Sequence, residues 1–168
     1  MAMKHNNQKG FALLVSVIFM SVMLTLGLAL SSLGYKQVIL ASTAIESQYA
    51  FYAADAGLEC ALYADQQQNL FDYLSHNADS PPPVLTCDGA LATPLSYAYD
   101  DTRLYISERL SLNSDTSRPR CVDVTIYKYK DPQPMTTYIF SQGYDVSCNT
   151  VGNPGGARFV SRGISSHY

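Results

Sequence analysis

The residues in this chain that could do chemistry are few and widely spaced. Asp100, Asp101, Asp115 and Asp123 could in principle collect calcium, but their spacing does not match a calcium loop, and a solvated acidic surface is the expected arrangement. His5, His76 and His167 are scattered, and no two cysteines stand in a CxxC spacing, so a zinc site is not expected. The chain contains no G-x-S-x-G, no H-E-x-x-H and no phosphate-binding glycine loop, so catalytic, cofactor-binding and metal-ligating residues are all assigned as none. The reading is of a protein that is not an enzyme. Lys128 and Lys130 interleave with Tyr127 and Tyr129 in the manner of a single-strand nucleic-acid platform, yet alternation on a strand edge produces the same pattern. Eleven Lys plus Arg face fourteen Asp plus Glu, a net charge of −3. That balance argues against a phosphate-dominated interface, and no nucleic acid is expected as partner.

The cysteines are the remaining reactive set. Cys60, Cys87, Cys121 and Cys148 are even in number and all lie beyond the apolar N-terminal run. Behind a membrane-targeting N-terminus, that distribution suggests an oxidising exterior and up to two disulfides. Three pairings exist. Short local loops favour Cys60–Cys87 with Cys121–Cys148, and the alternative is free thiols buried as small hydrophobes. The thirteen tyrosines, with no tryptophan, suggest interface and sheet packing, or an adhesive surface, because tyrosine offers apolar area with a polar tip.

The elements that must position these residues begin with a sharp asymmetry. Hydrophobic residues make up 47% and charged ones only 15%, while the mean hydropathy stays near zero. Residues 1–10, MAMKHNNQKG, are polar and basic; the next 23, Phe11 to Leu33, carry no charge, and the first acidic residue is Glu46. About 20 apolar residues cross the hydrocarbon core of a bilayer as a helix. Lys4 and Lys9 predict that the N-terminal end stays cytoplasmic while the rest is exported. An ordinary secretory signal would have a shorter apolar core and a small-residue cleavage site, for which Ala41-Ser42-Thr43-Ala44 is the candidate. A plain signal anchor fits the hydropathy equally well. Neither explains Lys9-Gly10-Phe11, where a basic leader ends in glycine directly before phenylalanine and an apolar run.

That junction resembles the class III signal of type IV prepilins. The resemblance implies cleavage between Gly10 and Phe11 by the prepilin peptidase and methylation of Phe11 as the new amino terminus. Glycine suits the junction because it leaves the backbone open to close approach. Most major pilins carry glutamate as the fifth mature residue, where it is thought to pair with a neighbouring subunit's amino terminus; here that residue is Val15. In that family the missing carboxylate is associated with minor subunits of the PilX or GspK type, placed at or near the filament tip, and this chain resembles the PilX-type group further along. QYAFYAADAGLECALY, Gln48 to Tyr63, is similar to that group's helix signature. The resemblance covers roughly residues 4–65 and implies a minor pilin-like subunit that promotes pilus assembly, with possible adhesion. Its partners would be other pilin subunits through the N-terminal helix, the prepilin peptidase and the inner membrane, with the extracellular pilus as destination. A type II secretion pseudopilin is an alternative within the class. A non-polymerising, membrane-anchored binding ectodomain is an alternative outside it.

Beyond the span, helix is expected to continue to about Leu70, because no proline and only Gly57 interrupt an alanine-rich stretch. Ile45, Tyr49, Tyr52, Ala56, Cys60 and Tyr63 recur at three- or four-residue steps and define the expected packing face, with Glu46, Asp55, Glu59 and Asp65 mostly elsewhere. Gly27 is a candidate point of local melting, and Ser16, Ser21, Thr25, Gly27, Ala29, Ser31 and Ser32 would let neighbouring helices approach closely. Pro81-Pro82-Pro83 ends helical structure, and Cys87-Asp88-Gly89 reads as a turn. Alternation at Leu95, Tyr97 and Tyr99, at Leu104, Ile106 and Leu110, and at Val122, Val124 and Ile126 predicts strands. Tyr138 and Phe140 predict another before Gln142-Gly143, and Phe159 to Ile164 a last one. Asp131-Pro132-Gln133-Pro134 would turn between two of them. The expected fold is α+β: one long N-terminal helix, transmembrane in its first half, packed on a small antiparallel sheet. The divisions would be a leader at 1–10, a membrane or filament-core helix at 11–34, its extension at 35–72 and a β-rich head at 73–168.

Overall fold

The computed structural model describes residues 8–112, 118–131 and 136–168, with Ser32 and residues 8–10 described by their backbone alone. Lys4, His5, Asp115 and Pro132-Gln133-Pro134 lie outside the described residues. A single helix, α1, runs Gln8–Gln66. After it come a 3-10 turn at Tyr73–Ser75, β1 (Thr86–Cys87), β2 (Ala90–Leu91), β3 (Thr93–Tyr99), β4 (Arg103–Leu112), β5 (Arg120–Tyr129), β6 (Thr136–Tyr144), α2 (Cys148–Gly152) and β7 (Ser161–His167). The fold is α+β, with a five-stranded antiparallel sheet in the order β3-β4-β5-β6-β7 and a small β1-β2 ribbon.

The chain divides into two compact units, Met1–Ser42 and Thr43–Tyr168. In the first, α1 passes through Gly27 without a break. Ser16, Ser21 and Thr25 each donate their hydroxyl at 2.8 Å to the carbonyl three residues back. The helix thereby satisfies its own polar side chains, as a hydroxyl on a helix in an apolar setting must.

In the second unit α1 lies on the sheet, but not by the expected face. Tyr52 and Tyr63 remain 64% and 60% exposed, and Ile45 is exposed as well. The buried stripe is instead Ala50, Ala53, Ala54, Gly57, Ala61 and Ala64, with Asp65 beside it. The reason is how closely the two layers approach. A Cβ on Gly143 would stand 2.2 Å from the Ala50 carbonyl oxygen and 2.3 Å from the Ala54 nitrogen. One on Gly57 would stand 2.5 Å from a Val122 methyl. Ser141 donates directly to the Ala54 carbonyl at 2.7 Å. At that separation only alanine and glycine fit, and the aromatic stripe is turned outward.

Leu104, Ile106 and Leu110 of β4, Val122, Val124 and Ile126 of β5, and Ile139 of β6 fill the core, closed by Phe71, Tyr73 and Leu85 from the connecting segment. Helix α1 stops at Gln66, short of Leu70. Asn69 adopts φ 52°, and the reversal lets the Leu70 N–H bond the Ala64 carbonyl at 3.0 Å, a left-handed termination of the kind asparagine tolerates. Asp88 and Gly89, at φ 52° and 72°, make the tight β1–β2 turn, whose geometry needs two positive φ angles. Leu95 sits at a register shift between Pro94 and Ser96 and is exposed, so the alternation in β3 holds only for Tyr97 and Tyr99. Strand β6 continues through Gln142-Gly143 to Tyr144 rather than stopping before them. Glycine there clears the crossing helix. Its inward residues are Thr137, Ile139 and Ser141, leaving Tyr138 and Phe140 outside. The last strand begins at Ser161, and Phe159 packs edge-on to Tyr144 before it.

Candidate functional site

The first candidate is the apolar helix itself. From Phe11 to Leu40 its large side chains are exposed all round: Phe11 73%, Leu14 56%, Val15 47%, Phe19 61%, Leu30 68%. A helix apolar on every side must bury that surface in lipid or against other helices. The stretch is long and apolar enough to cross a membrane, with a mean hydropathy of 2.5 over its best window. Gly10 and Phe11 both lie within α1, and Val15 puts an apolar side chain where a carboxylate would need a partner. Length and hydropathy carry the membrane reading of this element.

The cysteines are joined as Cys60–Cys87, with Cα atoms 6.1 Å apart, and Cys121–Cys148, at 4.7 Å. The first ties the β1–β2 ribbon to α1. The second ties the start of α2 to the start of β5. Among the described residues no group of three or more His, Cys, Asp and Glu could hold a metal ion. Asp100 closes the β3–β4 turn, where the Thr102 hydroxyl and backbone N–H hold its carboxyl at about 2. Asp123 stands opposite Arg109, bonded at 2.7 and 2.8 Å. Arg103 beside Asp100 and Arg109 beside Asp123 are six residues apart on β4, about 20 Å of strand, so these acids do not form one site. Tyr144 also bonds Asp123; burial first, then that carboxylate, pushes its phenol up to about 12.

The Lys128–Lys130 pattern is also dispersed. Strand β5 is the centre of the sheet, not an edge. Lys128 shares the inward parity of Val122, Val124 and Ile126 and forms an ion pair with Asp65 at 2.6 Å, the two side chains 12% and 2% exposed. Tyr168 donates to the other oxygen of Asp65 at 2.6 Å. Burial and that hydrogen bond both raise the Tyr168 phenol. The pattern that looked like a platform therefore splits: Lys128 turns to the core, Lys130 is exposed beyond the end of β5, and Tyr127 and Tyr129 lie on the opposite face. Asp65 had a detectable signal, standing four residues after Ala61 on the same stripe as the alanines. Glu108 had one too, in phase with Leu104, Ile106 and Leu110. Glu108 is 1% exposed; its Oε2 accepts the Leu85 N–H at 3.0 Å and its Oε1 has no partner among the described residues. Burial pushes its carboxyl up, against a smaller opposing effect of the Leu85 N–H.

By its fold this chain is an α+β protein with two disulfides, carrying an N-terminal helix of membrane-spanning length and composition. Comparison with known protein families, with curated proteins and with solved structures finds no match to it.

Proposed function

We propose that the chain is a minor type IV pilin-like subunit of the PilX type. It is cut after Gly10 by the prepilin peptidase and methylated on Phe11. The helix from Phe11 to Leu33 holds it in the inner membrane with the N-terminus cytoplasmic. It is then incorporated at or near the pilus tip, where it promotes assembly and contributes to adhesion. The observation that carries this reading is the helix between Phe11 and Leu40, apolar on every side and exposed, preceded by Lys9-Gly10-Phe11. Such a helix can exchange lipid contacts for contacts with like helices at little cost, because both surroundings are apolar. Val15 supports the tip position, since a subunit without the usual carboxylate offers no ion-pair partner to an amino terminus ahead of it. The test is mass spectrometry of the protein from its native cells, with and without the prepilin peptidase. A mature chain starting at N-methylated Phe11, dependent on that peptidase, is expected. An intact leader in both strains, or a start beyond residue 40, would end the pilin reading.

A further inference from the structure

The sheet face opposite α1 carries an aromatic row that neither the helix nor the membrane reading uses. Register places Tyr105, Tyr127, Tyr138 and His167 side by side across β4, β5, β6 and β7. Tyr105 and Tyr127 are 4.9 Å apart at their centroids; Tyr138 and His167 are 5.7 Å apart with planes at 16°. Tyr129 meets Tyr138 edge-on at 6.0 Å. Strands lie about 4.8 Å apart, so four rings in register span about 14 Å. One pair further along, the Phe140 ring lies against Gly163, where any Cβ would stand 2.8 Å from its Cζ. A hollow of about 320 Å³ opens over Tyr127, Tyr129, Tyr138 and His167, within the lower range of small-ligand sites.

We infer that this row is a binding site for a neutral oligosaccharide. The polar side chains on this face of the hollow are Ser165, the phenols and the His167 imidazole, and among the described residues that line it there is no carboxylate, lysine or arginine. The two arginines of the same face are each held by an aspartate, Arg103 by Asp100 at 3.4 Å and Arg109 by Asp123 at 2.7 Å. A stacking platform for nucleic acid needs a basic groove beside the rings, and among the described residues both arginines of this face are paired with aspartates. An acidic polysaccharide would lack the same cations. An extended peptide would add to the free backbone edge of β7, beside the rings rather than on their faces. A pyranose suits what is present, because its C–H face packs on an aromatic ring while its hydroxyl rim meets neutral hydroxyls. The rings brace one another before any ligand arrives, which lowers the ordering cost of binding. This surface stands on its own residues, whether or not the chain enters a filament.

The test uses the full chain in a zwitterionic detergent free of sugar. Cellotriose, maltotriose, chitotriose and mannotriose are titrated by calorimetry, with tyrosine emission, unmasked because the chain has no tryptophan, followed in parallel. Saturable binding of at least one is expected. Tyr138→Leu, which keeps apolar area but removes the ring, should weaken it about tenfold or more, and Tyr138→Phe should hold it within about threefold, as loss or retention of one stacking contact implies. Should Tyr138→Leu shift the thermal midpoint, His167→Ala at the end of the row serves as the second variant, with the same tenfold loss expected. Tyr49→Leu, on the helix, should change nothing. The proposal is overturned if no neutral saccharide binds at about 10 mM, an affinity too weak to matter. Undiminished binding by folded row variants, or preference for trigalacturonic acid over every neutral probe, would overturn it as well.

Discussion

Replacing Glu108 by glutamine should make the protein more stable at neutral pH and abolish part of its pH dependence. The side chain is 1% exposed in the core, where one oxygen accepts the Leu85 N–H and the other has no partner among the described residues. Burial raises its carboxyl above the usual value of 4.5. A group whose acidity is weakened by folding contributes its full stability only below the unfolded value. That contribution is lost as pH rises from about 4.5 through the folded value, because the unfolded chain ionises first. Over that window each pH unit costs up to about 1.4 kcal/mol. Glutamine cannot ionise, and its carbonyl can still accept from Leu85; its NH2 group, with two N–H donors, is left buried and unmet at about 1–3 kcal/mol. Glu108→Gln should therefore match or fall slightly below the natural chain near pH 4 and gain on it steadily above pH 5. The assay is guanidinium unfolding of the full chain followed by far-ultraviolet circular dichroism, in pH steps from 4 to 8. Parallel stability curves for the two proteins would refute the reasoning, since the pH-dependent component would then lie elsewhere.

Two further substitutions probe how the layers meet. Gly143→Ala should cost about 3 kcal/mol or more, in the range of severe overpacking, because its methyl would meet α1 backbone at 2.2 Å; Gly163→Ala should cost markedly less, since its neighbour is the rotatable Phe140 ring. Denaturation midpoints compare the two directly, and equal losses would contradict the backbone-contact account. Lys128→Met should cost about 3–5 kcal/mol by leaving the Asp65 carboxylate buried without its cation. Pairing it with Asp65→Leu should recover much of that loss, and a double-mutant cycle without coupling would show that the pair does not act as a unit.

Much of the architecture could be read along the chain because it rests on local periodicity. The charge-free run from Phe11 to Leu33 and the lack of proline before Pro81 dictate one long helix. Val122, Val124 and Ile126 dictate a strand with one buried face, and the structure buries all three. Asp88-Gly89 supplies the two residues that tolerate positive φ. The faces that meet were less accessible. Helix α1 carries two stripes at helical spacing, one aromatic and one of alanine and glycine, and either could have been the packing face on periodicity alone.

The sequence by itself determined the long helix, its apolar span and the alternating buried face of Val122, Val124 and Ile126. Tertiary structure alone decided that the alanine stripe meets the sheet, because Gly143 and Ser141 bring it against the α1 backbone at Ala50 and Ala54, where no larger residue fits. It also decided that Lys128 finds Asp65, 63 residues away, and that four rings from four strands form one row. Periodicity is set by neighbours a few residues apart. Register and close packing depend on distant segments fitting one another, and that fit is a property of the folded chain as a whole.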